Sequence, residues 1–504
     1  MTIHHLDDVR AGFDVSADAV VVGSGPGGAV AAANLAEGGL KTVLVEAGPA
    51  VGPEQMTRDA PLFMARYLWE GGMRMIGGSH QIPSLHGRCL GGSSVVNSAI
   101  MLELPRYVRE EWAAETGIDL FTGELLDAAY RRIWKRTGVA PTPMTALGRR
   151  NLKVKEALEA VGIEGGPLPR AVVGCEGNAD CLTGCASGAK QSVDRSWLPG
   201  ALEHGAEVYT CAHVERVLTE GRRAVGVEGR VVDPRGRVPL ARFRVRAPRV
   251  FVAAGPAHTP VILQRSRIDP RGRVGATLFA HLGGGLVGIM DEVMDPWVGA
   301  TQGWGAISED IPGLKFESLW VAPSALMVRW GDVGLPFLEK LDEIRHATVV
   351  ACVYRGKMRG RVKAKRDGMP AMRLWIPDAE AKPILRGMKI AADALFAVGA
   401  RYLRTGMPGV PDEIRSSEEA EILLDPKLGI EHLQMTMNHV FGSCRTSAGD
   451  DGVVDAEGRV RGVEGLWLTD ASIFPSPSAV NPQATIMALS DLISRRVAEL
   501  PLTS

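Results

Sequence analysis

A short apolar strand that runs directly into a glycine-rich turn, and from there into a helix of small residues, leaves a chain few folds to choose from. Here Ala19 to Val22 leads into Gly23-Ser24-Gly25-Pro26-Gly27-Gly28, and alanines at 29, 31, 32 and 33 follow. Gly23 permits the tight turn, Gly25 lets backbone approach phosphates, and Gly28 lets the helix pack on the strand. The helix N-terminus then offers free N–H groups and a favourable dipole to an anion. The next strand, Thr42 to Val45, ends in Glu46, a carboxylate that accepts from a ribose diol and repels a 2′-phosphate. The pattern predicts a Rossmann-like α/β domain that binds a dinucleotide through Gly23, Gly25, Gly28 and Glu46. The fingerprint alone does not separate FAD from NAD.

Composition adds bounds. The chain of 504 residues has room for roughly two to four domains. Its formal net charge of −1 gives no pull toward nucleic acid or an anionic membrane surface. Residues 1–8 hold no basic segment followed by an apolar run, and no stretch reaches the roughly 18 apolar residues of a spanning helix. A cytoplasmic protein without a transmembrane segment is expected. Seven cysteines in a chain this long do not read as a disulfide framework.

Further motifs narrow the reading. Gly87-Arg88-Cys89-Leu90-Gly91-Gly92-Ser93-Ser94-Val95-Val96-Asn97-Ser98 resembles the first signature of the glucose–methanol–choline (GMC) oxidoreductases. Gly255-Pro256-Ala257-His258-Thr259-Pro260, after the apolar run Val250 to Ala254, is similar to their second. A C-terminal run resembles their terminal flavin-binding block. It passes from His439 through Gly442-Ser443-Cys444-Arg445 and Asp470-Ala471-Ser472 to Asn481-Pro482-Gln483-Ala484-Thr485. The motifs occur in the family's order over nearly the whole chain. The resemblance implies FAD and oxidation of a CH–OH carbon by hydride transfer to flavin N5. It places Gly91, Gly92, Ser93 and Asn97 along the flavin and pyrophosphate, with Ala254 and Gly255 at the cofactor. Val214 would hold the adenine edge through its backbone, and Asp470 and Ala471 would reach the ribityl chain and pyrophosphate. Some family members attach FAD through a histidine in the first signature. Here that place reads Ser94-Val95-Val96-Asn97, so non-covalent FAD is expected.

Alcohol oxidation also requires removing the hydroxyl proton, and a histidine suits that task near neutral pH. His439 matches the family's base position. Asn481 matches the position held by histidine or asparagine, and would orient the substrate oxygen. His432 has no motif support and reads as structural or surface. His86 and His281 are candidates to border the flavin or substrate channel. Relatives that keep FAD without net redox, as lyases, and a non-catalytic flavin relay are the competing classes.

The segment Cys175 to Cys185, with Cys181 between, departs from the plain family pattern. Its spacing is similar to the three-iron cluster segment of bacterial FAD-dependent sugar dehydrogenases. It also resembles long-chain alcohol oxidases. Four readings stand: a [3Fe-4S] cluster passing electrons to a protein acceptor, zinc with a fourth ligand from elsewhere, a Cys181–Cys185 disulfide, or buried free thiols. Cys89, Cys211, Cys352 and Cys444 read as small core residues.

The FAD-binding domain is expected to be discontinuous, built from residues 1–105, 190–290 and 430–504. It would contain a β-meander from Val225 to Val245, turning at Asp233-Pro234-Arg235-Gly236, and a closing helix from Thr485 to Leu500. Residues 106–189 and 290–430 would form an α+β substrate domain with an antiparallel sheet and helices. It would hold a hairpin of Arg361–Lys365 and Met372–Ile376 and a long helix from Asp378 to Val398. The largely apolar segment Phe316 to Pro323 is expected to line the substrate side and favours a hydrophobic alcohol. Within it, Glu317 is either a second acid–base group or a structural carboxylate. The expected electron acceptor is molecular oxygen or a protein or quinone.

Overall fold

The computed structural model describes residues 2–320 and 332–503. Val321, Ala322 and Pro323, the end of the apolar segment expected at the substrate side, lie outside them.

Six parallel strands form the nucleotide-binding sheet: β1 (Thr2–His4), β2 (Ala19–Val22), β3 (Thr42–Val45), β4 (Glu207–Tyr209), β5 (Arg249–Val252) and β6 (Leu466–Leu468). Their order is β1-β4-β3-β2-β5-β6. Strands covered on both faces read as unbroken apolar runs, and β2 and β3 are buried at every position. Each fully buried valine there contributes on the order of 1.5–3 kcal/mol.

One helix, α1 (Pro26–Glu37), packs directly on this sheet; α2 (Gly255–Arg265) packs on the strand Ala212–Glu220, and α3 (Gln483–Val497) packs on α1. α1 and α3 pack together, and the few polar groups between them are satisfied. The Asn34 amide donates to Asp491 Oδ1 at 3.0 Å and to Ser494 Oγ at 2.9 Å. Arg132 meets Asp491 from the other side at 2.6 Å. α3 thus locks the C-terminal region onto α1. The meander forms as expected from Ala212–Glu220, Arg223–Val232 and Pro239–Arg246, joined at its edge by Phe13–Ser16. In its turn the Asp233 carboxylate accepts from the Arg235 and Gly236 amides.

The second large sheet has seven strands, antiparallel throughout. Its centre is Leu282–Met290, Ala347–Tyr354 and Leu314–Ser318. Two helices, Gly148–Ala160 and Ala381–Ala397, cover one face. Side chains alternate between faces along a strand. Leu314, Phe316, Val350 and Cys352 enter the helix-facing core, which leaves Lys315, Glu317, Val349 and Ala351 to the opposite face. Leu282–Met290 is a strand of this sheet. The expected hairpin is Arg359–Ala364 with Pro370–Trp375, and Met75–Gly78 joins its outer strand in parallel.

Candidate functional site

A cavity of about 1010 Å³ lies between the C-terminal ends of the parallel strands and the uncovered face of the second sheet. The first wall includes Gly23, Gly25, Glu46, Ala254, Gly255, Asp470 and Ala471; the second includes Gly283, Gly285, Glu317, Leu319 and Ala351. Gly92, Ser93, Asn97 and Val214 also line it. Gly28 and Gly91 stand behind the wall. A Cβ on Gly28 would meet the Gly23 carbonyl oxygen at 1.8 Å, so its role is the close packing of α1. Gly91 has φ +92° and donates its N–H to Ser24 Oγ.

The donors and spaces fit a flavin dinucleotide. A Cβ on Gly25 or Gly255 would meet no protein atom within 4 Å. Both lie at helix N-termini on the cavity wall, where a backbone without a side chain leaves room for a phosphate to approach. Glu46 is buried and points its carboxylate at the turn. It accepts from Ser24 N and Oγ and from Gly48 N at 2.6–2.9 Å, leaving acceptor capacity for a ribose hydroxyl. Burial raises its pKa while those donors oppose the rise. Asp470 ties the second signature to the C-terminal block. It accepts from Gly255 N, Thr259 Oγ1 and Ser472 N at 2.5–2.9 Å. The Asn97 amide donates to Gln483 Oε1 at 2.5 Å, joining the first signature to α3.

At the other end of the cavity the chain brings His439, His281 and Asn481 to one wall. Phe279–Ala280 pairs antiparallel with Val440–Phe441, which sets His281 beside His439. The His281 N–H donates to the His439 carbonyl, and the two Nδ1 atoms are 3.0 Å apart. Burial, helped by the Lys315 ammonium and opposed by Glu317, pushes the His439 imidazole down to about 4. His439 is therefore neutral at neutral pH. Ser84 and Leu85 clamp the preceding turn through the Met437 carbonyl and the Asn438 side chain.

Lys315 was not legible in the sequence, yet it sits at the centre of this end. Its ammonium donates to Asn481 Oδ1 and to Glu317 Oε1, and Glu317 Oε2 accepts from Gln302 Nε2 at 2.8 Å. Lys315 is 3% and Glu317 2% exposed, so the pair is desolvated. The wall near Val214 holds a second missed group. Trp69 stacks on His258 at 4.0 Å and meets His213 edge-on, while Arg74 Nη2 lies 2.8 Å from His258 Nε2. His86 lines the same wall, held near about 3 by burial and Arg74. His432 lies off the cavity and accepts from the Gly429 N–H.

The cysteine segment requires a correction. Cys175, Cys181 and Cys185 do not converge as a metal site: among the described residues no three His, Cys, Asp or Glu side chains are placed to hold an ion. The three thiols are free, with no Cys181–Cys185 disulfide. The Arg170 guanidinium stands between Cys175 and Cys181, at 3.8 and 3.1 Å. The iron–sulfur and zinc readings find no support in this arrangement.

Known proteins resemble this chain over most of its length. Family models described as GMC oxidoreductase match residues 18–283 and 355–490. A GMC-type oxidoreductase of Mycobacterium tuberculosis is 33% identical over 94% of this chain and 74% of its own length. A long-chain-alcohol oxidase of Arabidopsis thaliana is 26% identical over 98% of this chain and 68% of its own. Among solved structures, pyridoxine 4-oxidase from Mesorbium loti superposes with a TM-score of 0.72 at 18% identity, covering 96% of this chain and 99% of that one. No helix among the described residues is long and apolar enough to cross a membrane.

Proposed function

The chain belongs to the GMC oxidoreductase family, as an FAD-dependent oxidoreductase, and from that premise we propose that it oxidises a hydrophobic alcohol to its carbonyl compound. The reading is carried by one juxtaposition: a neutral, half-buried histidine and a lysine-held asparagine share the wall of the cavity that the dinucleotide residues open into.

FAD, when bound non-covalently, supplies the acceptor for the hydride that leaves the carbinol carbon. Gly25 and Gly255 would bring backbone to its pyrophosphate, Glu46 would take the ribose, and Val214 would meet the adenine. In this reading His439 carries its hydrogen on Nδ1, toward His281 Nδ1 at 3.0 Å, which leaves a lone pair on Nε2 for the cavity. It takes the hydroxyl proton there as a general base. Asn481 cannot accept that proton. It donates Nδ2–H to the substrate oxygen and stabilises negative charge as the proton leaves. Lys315 and Glu317 act behind Asn481, and their burial keeps water from competing for its amide.

The wall beyond this pair supports the substrate class. Leu319, Trp320, Val349, Val353, Leu433 and Met435 line it. Such a surface binds an alkyl chain better than a sugar. The named activity of the Arabidopsis relative supports the same class, with oxygen as acceptor.

Anaerobic mixing of the flavin-loaded protein with dodecanol tests the proposal, with glucose and choline alongside. The visible flavin band should bleach with dodecanol, and a His439→Gln variant should bleach roughly 10²–10⁴-fold more slowly. Lack of bleaching with every alcohol sinks the activity, and bleaching by glucose alone sinks the substrate class.

A further inference from the structure

Beside the main cavity lies a small pocket of about 60 Å³, lined by Cys175, Cys181, Cys185, Arg170 and Lys190 among others. Arg170 is 0% exposed, and Arg150 and Lys190 are 1% exposed. Buried cations are ordinarily paired with carboxylates. These three are not. Arg150 donates to the carbonyls of Pro296, Ala300 and Thr301. Lys190 donates to those of Val95, Asn97 and Cys181. Arg170 donates to the Ser98 carbonyl and turns its remaining N–H groups to the sulfurs of Cys181 and Cys175. Thr301, also 0% exposed, has a hydroxyl without a hydrogen-bond partner among the described residues.

The remaining charged groups nearby do not balance this excess. Asp180 is taken by Arg58 at 3.0 Å. Asp194 acts on Lys190 only from beyond ion-pair distance, and Glu176 lies on the pocket's rim. Among the described residues the acidic groups that Arg170 reaches are the Cys181 and Cys175 thiols, and Cys181 is the nearer at 3.1 Å.

We propose that Cys181 is a thiolate at neutral pH, held by Arg170, and that it is a modification site for small electrophiles of the peroxide class. Burial raises the thiol, but Arg170 and Lys190 more than offset that. With hydrogen peroxide the sulfur attacks one oxygen. The S–O bond forms, the O–O bond breaks, and the displaced hydroxide carries away the electron pair. The sulfur is oxidised by two electrons to a sulfenic acid. The flanking residues Asp180, Leu182 and Thr183 line the main cavity, so a modified sulfur would be felt there.

The test is site-resolved alkylation of the flavin-loaded protein by iodoacetamide across pH, read by mass spectrometry. A dimedone trap after peroxide is read in the same way. Cys181 should alkylate at a rate that has reached its plateau by neutral pH and should carry the dimedone adduct. Arg170→Met should cut its rate at neutral pH at least tenfold, while Arg170→Lys should keep most of it. Should Arg170→Met fail to fold, the pH dependence of thiolate ultraviolet absorbance, wild type minus Cys181→Ser, must show an anion already present at neutral pH. A rate that climbs only through the ordinary thiol range near about 8.5 would overturn the proposal. So would protection of Cys181 by copurified iron.

Discussion

Lys315 donates to Asn481 Oδ1, and that single bond fixes which end of the Asn481 amide is left for a ligand. An ammonium has no acceptor, so the oxygen must face it and Nδ2 is turned to other partners. Replacing Lys315 with Met frees the amide to flip and strands a Glu317 carboxylate that is 2% exposed. Breaking a buried pair in this way costs about 3–5 kcal/mol. We expect Lys315→Met to lower both Tm and kcat. The double variant Lys315→Met/Glu317→Gln should regain most of the Tm and none of the kcat. Recovery of kcat in the double variant would show that Lys315 acts on stability alone.

Gly25 and Gly27 are neighbours in one turn with opposite surroundings. A Cβ on Gly27 would meet the Thr469 carbonyl oxygen at 1.7 Å, whereas one on Gly25 would enter the open cavity. Gly25→Val should therefore fold with the melting temperature of the apoprotein yet retain little flavin. Gly27→Ala should lose stability itself, because α1 must back away from the loop after β6. Flavin content and the apoprotein melting curve separate the two. Normal flavin content in Gly25→Val would remove the phosphate cradle from the site.

These two positions also mark what the sequence could and could not reveal. The glycine turn was legible because its constraints are local: the strand, the turn and the helix are contiguous, and each glycine answers a backbone need. His439 and Asn481 were reachable through motif resemblance. Lys315 carried no such label. A signal was nevertheless present in Leu314-Lys315-Phe316-Glu317-Ser318, where two opposite charges share one face of a strand whose other face is apolar. That pattern reads equally well as a solvated face, and only the sheet's position against the cavity decides between them. The cysteine segment left four readings open for a different reason. Loop sulfurs follow no repeat, and the residue that separates them, Arg170, comes from the strand Pro169–Ala171.

Acid should destabilise the protein through its buried histidines. Burial holds His86 near about 3 and His439 at about 4, and pushes His258 and His281 well below their usual range. Unfolded, each titrates near about 6.5. Between those values the unfolded chain binds more protons than the folded one, so stability falls as pH drops from about 6.5 through about 4. Glu46 and Asp470, raised by burial, take up protons early in the folded state and soften the loss. The apoprotein Tm should therefore decline across that window, and His258→Gln should flatten the slope. A Tm independent of pH there would mean these rings are already charged or hydrated.

The contact between His281 Nδ1 and His439 Nδ1 makes a last, sharper demand. Only one of the two atoms can carry the shared proton. For His439 to act as a base at Nε2, its own Nδ1 must donate, and His281 must then hold its proton on Nε2, an atom buried without a hydrogen-bond partner. That tautomer carries a desolvation penalty of about 1–3 kcal/mol, which the fold tolerates to keep the His439 lone pair turned inward. His281→Gln can still accept from His439 and should retain most of the activity. His281→Phe cannot, and His439 is free to place its proton on Nε2. We expect kcat to fall about 10–100-fold in His281→Phe, at unchanged flavin content, on the scale of a partial loss of general-base catalysis. Steady-state kinetics of the two variants, with nitrogen-15 shifts of the His439 ring, check the assignment. Equal kcat in both variants would mean that His281 does not set the tautomer of its neighbour.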